Sequence, residues 1–273
     1  MTKTKILQTK KMLEKINILK LDINRNELDE IVEGSISLVR KGVKHYICVP
    51  NAYLTVIANS DNEVLNIINK ADFVIPDGMP LVWYSKTFKK SIPSRISGSD
   101  FFYQYNRKMD NFGMSCFFLG GKDEKVVQGM VRKIKKDFNH IKIAGYFVPP
   151  FMEEFKGSIK KEILSIINKK KPDVVWVGLS APKQERWIYD NIRRLDARMI
   201  CGVGAVFNFY SGNVKRAPMW MQKIGFEWLF RILVEPRRLF KKYIVYNTKF
   251  IILVFKDIFR RIFKFRSLQG NTK

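Results

Sequence analysis

The side chains best suited to chemistry in this 273-residue chain are a few polar and charged residues that follow short apolar runs. Asp77, in Pro76-Asp77-Gly78, reads two ways. It could close a reverse turn by bonding its own backbone, or it could act as a general base. A carboxylate at a strand end, partly shielded from water, has its pKa raised towards the working range and can accept a hydroxyl proton. Ser180 and Pro182 fit a helix N-cap and its first position, which puts Lys183, Gln184 and Glu185 in a first turn whose free amides favour an anion. Lys183 is there either a ligand contact or a solvated charge. Gly120-Gly121 lies between Cys116–Leu119 and a helical pattern, so the backbone could approach a phosphate, or it could simply turn.

Farther along, Arg231 and Arg238 are seven apart and Lys241 is three beyond. On one continuous helix they share a face. Glu235 and Pro236 threaten that continuity. Other chemistries find little footing. The chain has no D-x-D pair, and His45 and His140 have no carboxylate or thiol at ligand spacing, so no metal site and no cofactor are expected. There is no G-x-S-x-G elbow and no G-x-x-x-x-G-K-[ST] loop, and Gly202-x-Gly204 lacks a third glycine at Phe207. If a diphosphate leaves during catalysis, cationic side chains and helix termini must neutralise it instead.

Elements must place these residues. Apolar runs at His45–Val49, Phe73–Ile75, Met114–Leu119, Ile141–Phe147, Val174–Val177 and Met199–Val203 read as strands. Periodic segments at Glu63–Lys70, Glu124–Phe138 and Ser158–Lys170 read as helices between them. Such alternation predicts an α/β fold with a doubly wound, mainly parallel sheet, in which ligands bind beyond the carboxyl ends of the strands. Five segments lie there: Val49–Ala52 with Asn51, Pro76–Gly78, Gly120–Lys122, Gly178–Glu185 and Gly202–Asn208. Strand signals stop near Ser211, which suggests a core over 1–211 and an appendage over 212–273.

Composition narrows the partners. A 46% hydrophobic chain folds rather than staying disordered. Its net charge of +25 calls for a polyanionic partner, whether nucleic acid, anionic lipid or phosphate. From Asn213 to Lys273 there are 15 Lys and Arg against 3 Asp and Glu. Over Arg238–Phe265 a helical projection lines up Arg238, Lys242, Lys249, Lys256, Arg260 and Lys264 opposite Phe240, Tyr243, Ile244, Ile251, Val254, Phe255, Ile258, Ile262 and Phe265. The apolar runs are too short to span a bilayer. The helix therefore lies in a membrane interface or packs on the core. A basic nucleic-acid-binding protein is the alternative from another class, although no binding motif accompanies the charge. Cys48, Cys116 and Cys201 fall in apolar runs without C-x-x-C spacing, as expected of buried thiols in a reducing cytosol. Met1–Lys15 is basic and polar, unlike a secretory signal.

Taken in order, Pro76-Asp77-Gly78, Arg95-x-x-Gly98-x-Asp100, Phe118-Leu119-Gly120-Gly121, Pro182-Lys183-Gln184-Glu185, Arg216-Ala217-Pro218-x-Trp220 and Glu227-Trp228-Leu229-x-Arg231-x-x-x-Glu235-Pro236-x-Arg238 resemble the WecB/TagA/CpsF glycosyltransferase family. The resemblance runs from about Lys15 to Tyr243. It implies a Rossmann-like core with a helical, basic, membrane-targeting appendage, and inverting, metal-independent transfer. The implied partners are a UDP-sugar donor, an undecaprenyl-diphosphate-linked acceptor and an anionic membrane surface, with self-association into a homo-oligomer also open and no nucleic acid. The implied place is the cytoplasmic face of the cell membrane, in cell-surface polysaccharide or teichoic acid synthesis. N-acetylmannosamine is the sugar the family favours, with its uronic acid or a hexose behind it. Asp77 matches the family's proposed base and Gln184 its active-site glutamine; Arg231 and Arg238 match arginines thought to contact diphosphate. Asn51, Arg95, Gly98, Asp100, Gly120, Gly121, Lys183 and Glu185 complete the expected substrate-binding set. The sequence departs from the family at Val49, where Thr is usual, at Ser180 (Gly), at Asn208 (Asp) and at Lys241 (Arg).

Overall fold

The computed structural model describes residues 14–152 and 154–270, with side chains through Phe263. Residues 1–13 of the N-terminal stretch and the side chains of Lys264 and Phe265 lie outside the described residues. Six parallel strands form one sheet: β3 (His45–Cys48), β4 (Phe73–Val74), β5 (Ser115–Gly120), β6 (Lys142–Phe147), β7 (Val174–Gly178) and β8 (Met199–Gly202), in the order β4-β3-β8-β7-β5-β6. These are the six expected apolar runs, and each strand differs from its run by at most a residue at either end. Their continuous apolar character follows from burial on both faces. In β7, Val175 and Val177 enter one core and Val174 and Trp176 the other. Helices Leu28–Arg40, Gly98–Asp110 and Glu124–Asp137 cover the second face; Ala52–Ser60, Asn62–Asn69, Gly157–Lys170 and Lys183–Asn191 cover the first. The fold is α/β and Rossmann-like, as expected. All three cysteines are free and buried.

Three local details add to the sequence reading. Two four-residue strands, β1 (Lys15–Ile18) and β2 (Leu21–Asn24), form an antiparallel hairpin through Leu19 and Lys20, both at positive φ. Strands this short carry too little periodicity to be read from sequence. Pro182, not Ser180, is the N-cap of Lys183–Asn191; it follows a cis peptide bond, and Ser180 stays exposed outside the helix. The continuity that Glu235 and Pro236 put in question is indeed broken: Glu227–Val234 ends at Glu235, and Pro236 opens Pro236–Gly270. Proline lacks the amide that a continuing helix would need there.

The long final helix packs one side on the core and leaves a second apolar side exposed. Tyr243, Tyr246, Phe250, Leu253, Val254 and Ile258 turn towards the protein, with Phe250 buried in the core that also holds Leu54 and Val56. Phe240, Ile244, Ile251, Phe255 and Ile262 stay exposed, joined by Ile252, Phe259 and Phe263. No described helix is long and apolar enough to cross a membrane.

Candidate active site

The carboxyl ends of β3 and β4 bring the first site residues together. Backbone pairing continues past the strands, with the Ile75 amide donating to the Cys48 carbonyl at 2.8 Å and the Asp77 amide to Pro50 at 2.9 Å. Asp77 is thereby pinned beside Asn51. Asn51 caps helix Ala52–Ser60, its Oδ1 accepting from the Leu54 amide at 3.1 Å, and the residue remains exposed. The Asp77 carboxylate forms no hydrogen bond or ion pair among the described residues, so the self-bonded turn does not occur. Burial pushes its pKa up to about 6, against the fields of Arg95, Arg216 and Arg231. A carboxylate poised there is mostly ionised at neutral pH yet basic enough to take a proton.

Arg95 and Asp100 belong to a charge network around this group. Arg95 donates to Glu227 at 3.0 Å, and Arg216 pairs with Glu227 at 3.2 Å and Asp100 at 2.7 Å. Ser97, N-cap of helix Gly98–Asp110, donates to Asp100 at 2.6 Å and accepts from Arg216 at 2.8 Å. Against burial, the bonds from Arg216 and Ser97 hold the Asp100 carboxyl below its ordinary value. Gly98 opens the helix against Val206 and Val49. The network fastens Glu227, in the tail, to the start of helix Gly98–Asp110. Neither Arg216 nor Glu227 was singled out for chemistry by sequence, although both stand in the motifs of the resemblance.

From β7 and β8 come the glutamine and its neighbours. Gln184 donates from Nε2 to Glu185 Oε1 at 2.8 Å and accepts the Gly204 amide at 3.1 Å, so it ties the loop after β8 to the start of its helix. A Cβ on Gly202 would sit 2.7 Å from the Gln184 side chain, which explains the glycine. Glu185 is buried, its Oε2 lacks a partner, and burial pushes its pKa up to about 7. Lys183 turns to the Met152 carbonyl and stacks 4.1 Å over the Phe155 ring, with burial lowering its pKa. At the end of β5, Gly120 and Gly121 both take positive φ, and a Cβ on Gly120 would lie 2.7 Å from the Gly178 carbonyl oxygen. The helix beyond is capped by Asp123, which accepts from the Val126 amide at 2.9 Å.

The tail closes over this edge. Arg231 lies 5.2 Å from the Phe209 ring and 5.9 Å from that of Tyr243, and its buried Nε has no partner. Arg238 is exposed and paired with Glu235 at 2.6 Å. The helix break does not separate the two arginines' influence. Burial pushes Tyr243 up, and the charges of Arg231, Asp77, Glu227 and Arg238 all act on it. Tyr243, read from sequence only as part of an apolar stripe, thus lies within the fields of both the base and the cations.

Residues 16–264 match the glycosyl transferase WecG/TagA/CpsF family. The chain belongs to that family. It is a glycosyltransferase, which decides against the nucleic-acid-binding alternative. It is 32% identical over 204 residues to an N-acetylglucosaminyldiphosphoundecaprenol N-acetyl-beta-D-mannosaminyltransferase of Bacillus subtilis (strain 168), covering 71% of this chain and 77% of that one. An enzyme of the same description from Bacillus spizizenii is 34% identical over 174 residues, 63% of this glycosyltransferase and 64% of the relative. Another, from Staphylococcus aureus (strain NCTC 8325 / PS 47), is 25% identical over 227 residues, 82% and 87% of the two chains.

Proposed function

We propose that this glycosyltransferase moves N-acetylmannosamine from UDP to the N-acetylglucosamine of an undecaprenyl-diphosphate-linked acceptor, with inversion and without a metal. The observation that carries this reading is the Asp77 carboxylate, pinned at a strand end, without a hydrogen-bond partner among the described residues and in the fields of Arg95, Arg216 and Arg231. The relatives' activity supplies the sugars. In this scheme Asp77 removes the proton from an acceptor hydroxyl, whose oxygen attacks the anomeric carbon as its bond to the nucleotide diphosphate breaks. A single displacement inverts the centre. Arg231 and Arg238 offset the charge on the departing diphosphate. Asn51 presents its free amide nitrogen to the acceptor, Gln184 and Glu185 hold the loop after β8, and Lys183 holds the loop after β6. Arg95, Gly98 and Asp100 seat the tail through Arg216 and Glu227. Gly120 and Gly121 let the backbone come close to the nucleotide.

Residues 212–273 serve, on this reading, as an appendage that completes the site and rests on the cytoplasmic face of the membrane. Two features support it: the exposed apolar arc of the final helix, and its flank of Arg238, Lys249, Lys256 and Arg260. Apolar side chains in the acyl boundary with cations beside anionic headgroups is the geometry of an interfacial helix. Turnover of UDP-N-acetylmannosamine with a short-chain prenyl-diphosphate-linked N-acetylglucosamine tests the assignment. Product that is β-linked and requires Asp77 is the expected result; no product with this pair, but product with another UDP-sugar, would replace the sugar assignment.

A further inference from the structure

The cation cluster of the tail is larger than Arg231 and Arg238, and its third member is not the one that spacing suggests. Lys241 is exposed on the outer side of the final helix, whereas Lys242 is turned inward. Its ammonium lies 3.7 Å over the Tyr53 ring. Tyr53 belongs to the helix that Asn51 caps, packs edge-on against Tyr246 at 4.5 Å, and directs its hydroxyl to the Ala181 carbonyl at 3.5 Å. Lys242 therefore stands over the loops that leave β3 and β7, on the same edge as Asp77. Burial lowers its pKa, and Arg231 and Arg238 lower it further, so the three cations share one field.

Two of the three have no counter-charge in contact: among the described residues, neither Lys242 nor Arg231 has a carboxylate in an ion pair, and the buried Arg231 Nε has no partner at all. The nearby Glu227 is taken by Arg95 and Arg216, and Glu235 by Arg238. Partly buried cations without counter-charge are costly unless an anion joins them. We propose that Lys242 is a diphosphate-binding residue, which with Arg231 and Arg238 forms a three-cation seat for the diphosphate of the donor, of the acceptor, or of both. This rests on the glycosyl-transfer reading above and adds a residue to it.

Binding of inorganic pyrophosphate and of UDP, measured by calorimetry, together with the KM of a short-chain prenyl-diphosphate-linked sugar, tests the seat. Lys242→Met keeps the aliphatic stem on Tyr53 and removes the charge. It should weaken pyrophosphate roughly tenfold or more, the scale of one charge-assisted hydrogen bond, while Lys242→Arg restores binding and Lys241→Gln binds as the wild type does. Weakened UDP with an unchanged acceptor KM assigns the seat to the donor; the reverse assigns it to the acceptor; both effects assign it to both. Should Lys242→Met fail to fold by circular dichroism, Lys242→Gln gives the same comparison. Wild-type affinity in the uncharged variant overturns the proposal, as does a Lys242→Arg variant as weak as Lys242→Met, since packing rather than charge would then be at work. A wild-type protein that binds pyrophosphate through Lys242 but transfers no sugar would sink the transfer reading alone.

Discussion

Asp77 and Glu185 are both carboxyls raised by burial, yet their settings differ. Asp77 opens onto the strand ends with its oxygens unengaged, whereas Glu185 is sealed behind Gln184. Asp77→Asn should lower kcat by ~10² to 10⁴, the usual contribution of a general base, with UDP binding preserved. Because the ionised form is the base, kcat/KM should fall as pH drops through about 6, and that limb should vanish in the variant. Glu185 makes a different prediction, about stability. Its folded pKa, about 7, lies above the ordinary value of 4.5. Its stabilising contribution is thus complete at acid pH and is lost as pH rises through 7, when a buried charge must form. Thermal melts at pH 5 and pH 8 should differ less in Glu185→Gln than in the wild type; an unchanged difference would mean that Glu185 ionises without cost. Chelation bears on the same scale: with Asp100 and Glu227 committed to arginines, EDTA should leave turnover unchanged, and loss restored by Mg²⁺ or Mn²⁺ would contradict the cation-only scheme.

Helix Glu227–Val234 is held to the core by one carboxylate as well as by a small apolar contact. Its Leu233 and Val234 remain exposed, and Ile232 is its buried residue. Glu227, at its first position, reaches both Arg95 and Arg216. Replacing it by Gln leaves two partly buried guanidinium groups short of a partner. Removing one side of a buried pair costs about 3 to 5 kcal/mol, and the partial exposure here should reduce that to roughly 1 to 3 kcal/mol. The expected outcome is a helix that undocks: faster limited proteolysis between Gly212 and Phe226, and a loss of turnover for both short- and long-chain acceptors. A variant cleaved at the wild-type rate would leave the network without a docking role.

At the scale of the molecule, the final helix has one side packed on protein and one apolar side exposed. Its inner side is clasped near the far end, where Asp257 accepts from Tyr84 and Arg261 donates to the Tyr84 hydroxyl at 2.7 Å while lying 4.2 Å over the Phe88 ring. Truncation after Lys249 would therefore remove a core contact as well as any lipid contact. Substitutions confined to the outer side separate the two. Ile251, Phe255, Phe259 and Ile262 changed together to Ser should abolish co-sedimentation with anionic vesicles and leave transfer to a short-chain acceptor near the wild-type rate. Changing Lys249, Lys256 and Arg260 to Gln should weaken vesicle binding by about 1 kcal/mol for each charge, and less as salt rises. Undiminished sedimentation of the four-Ser variant would rule out this face as the membrane contact.

Apolar runs of strand length separated by helical periods could build little other than a parallel sheet with two covered faces, so the positions of Asp77, Asn51 and Gln184 at its carboxyl edge were legible from the chain alone. That is local information: each run declares its own period, and the edge follows from the strands' common direction. Partnership is not local. Arg95 and Glu227 are 132 positions apart, and nothing in either segment says that one will neutralise the other or that Asp77 will be left without a hydrogen-bond partner. Rotation of the final helix is likewise a property of docking. Its apolar residues wrap more than half its circumference, and only docking, against Tyr53, Tyr84 and Phe88 among others, chooses which part faces protein, turns Lys242 inward and leaves Lys241 outside.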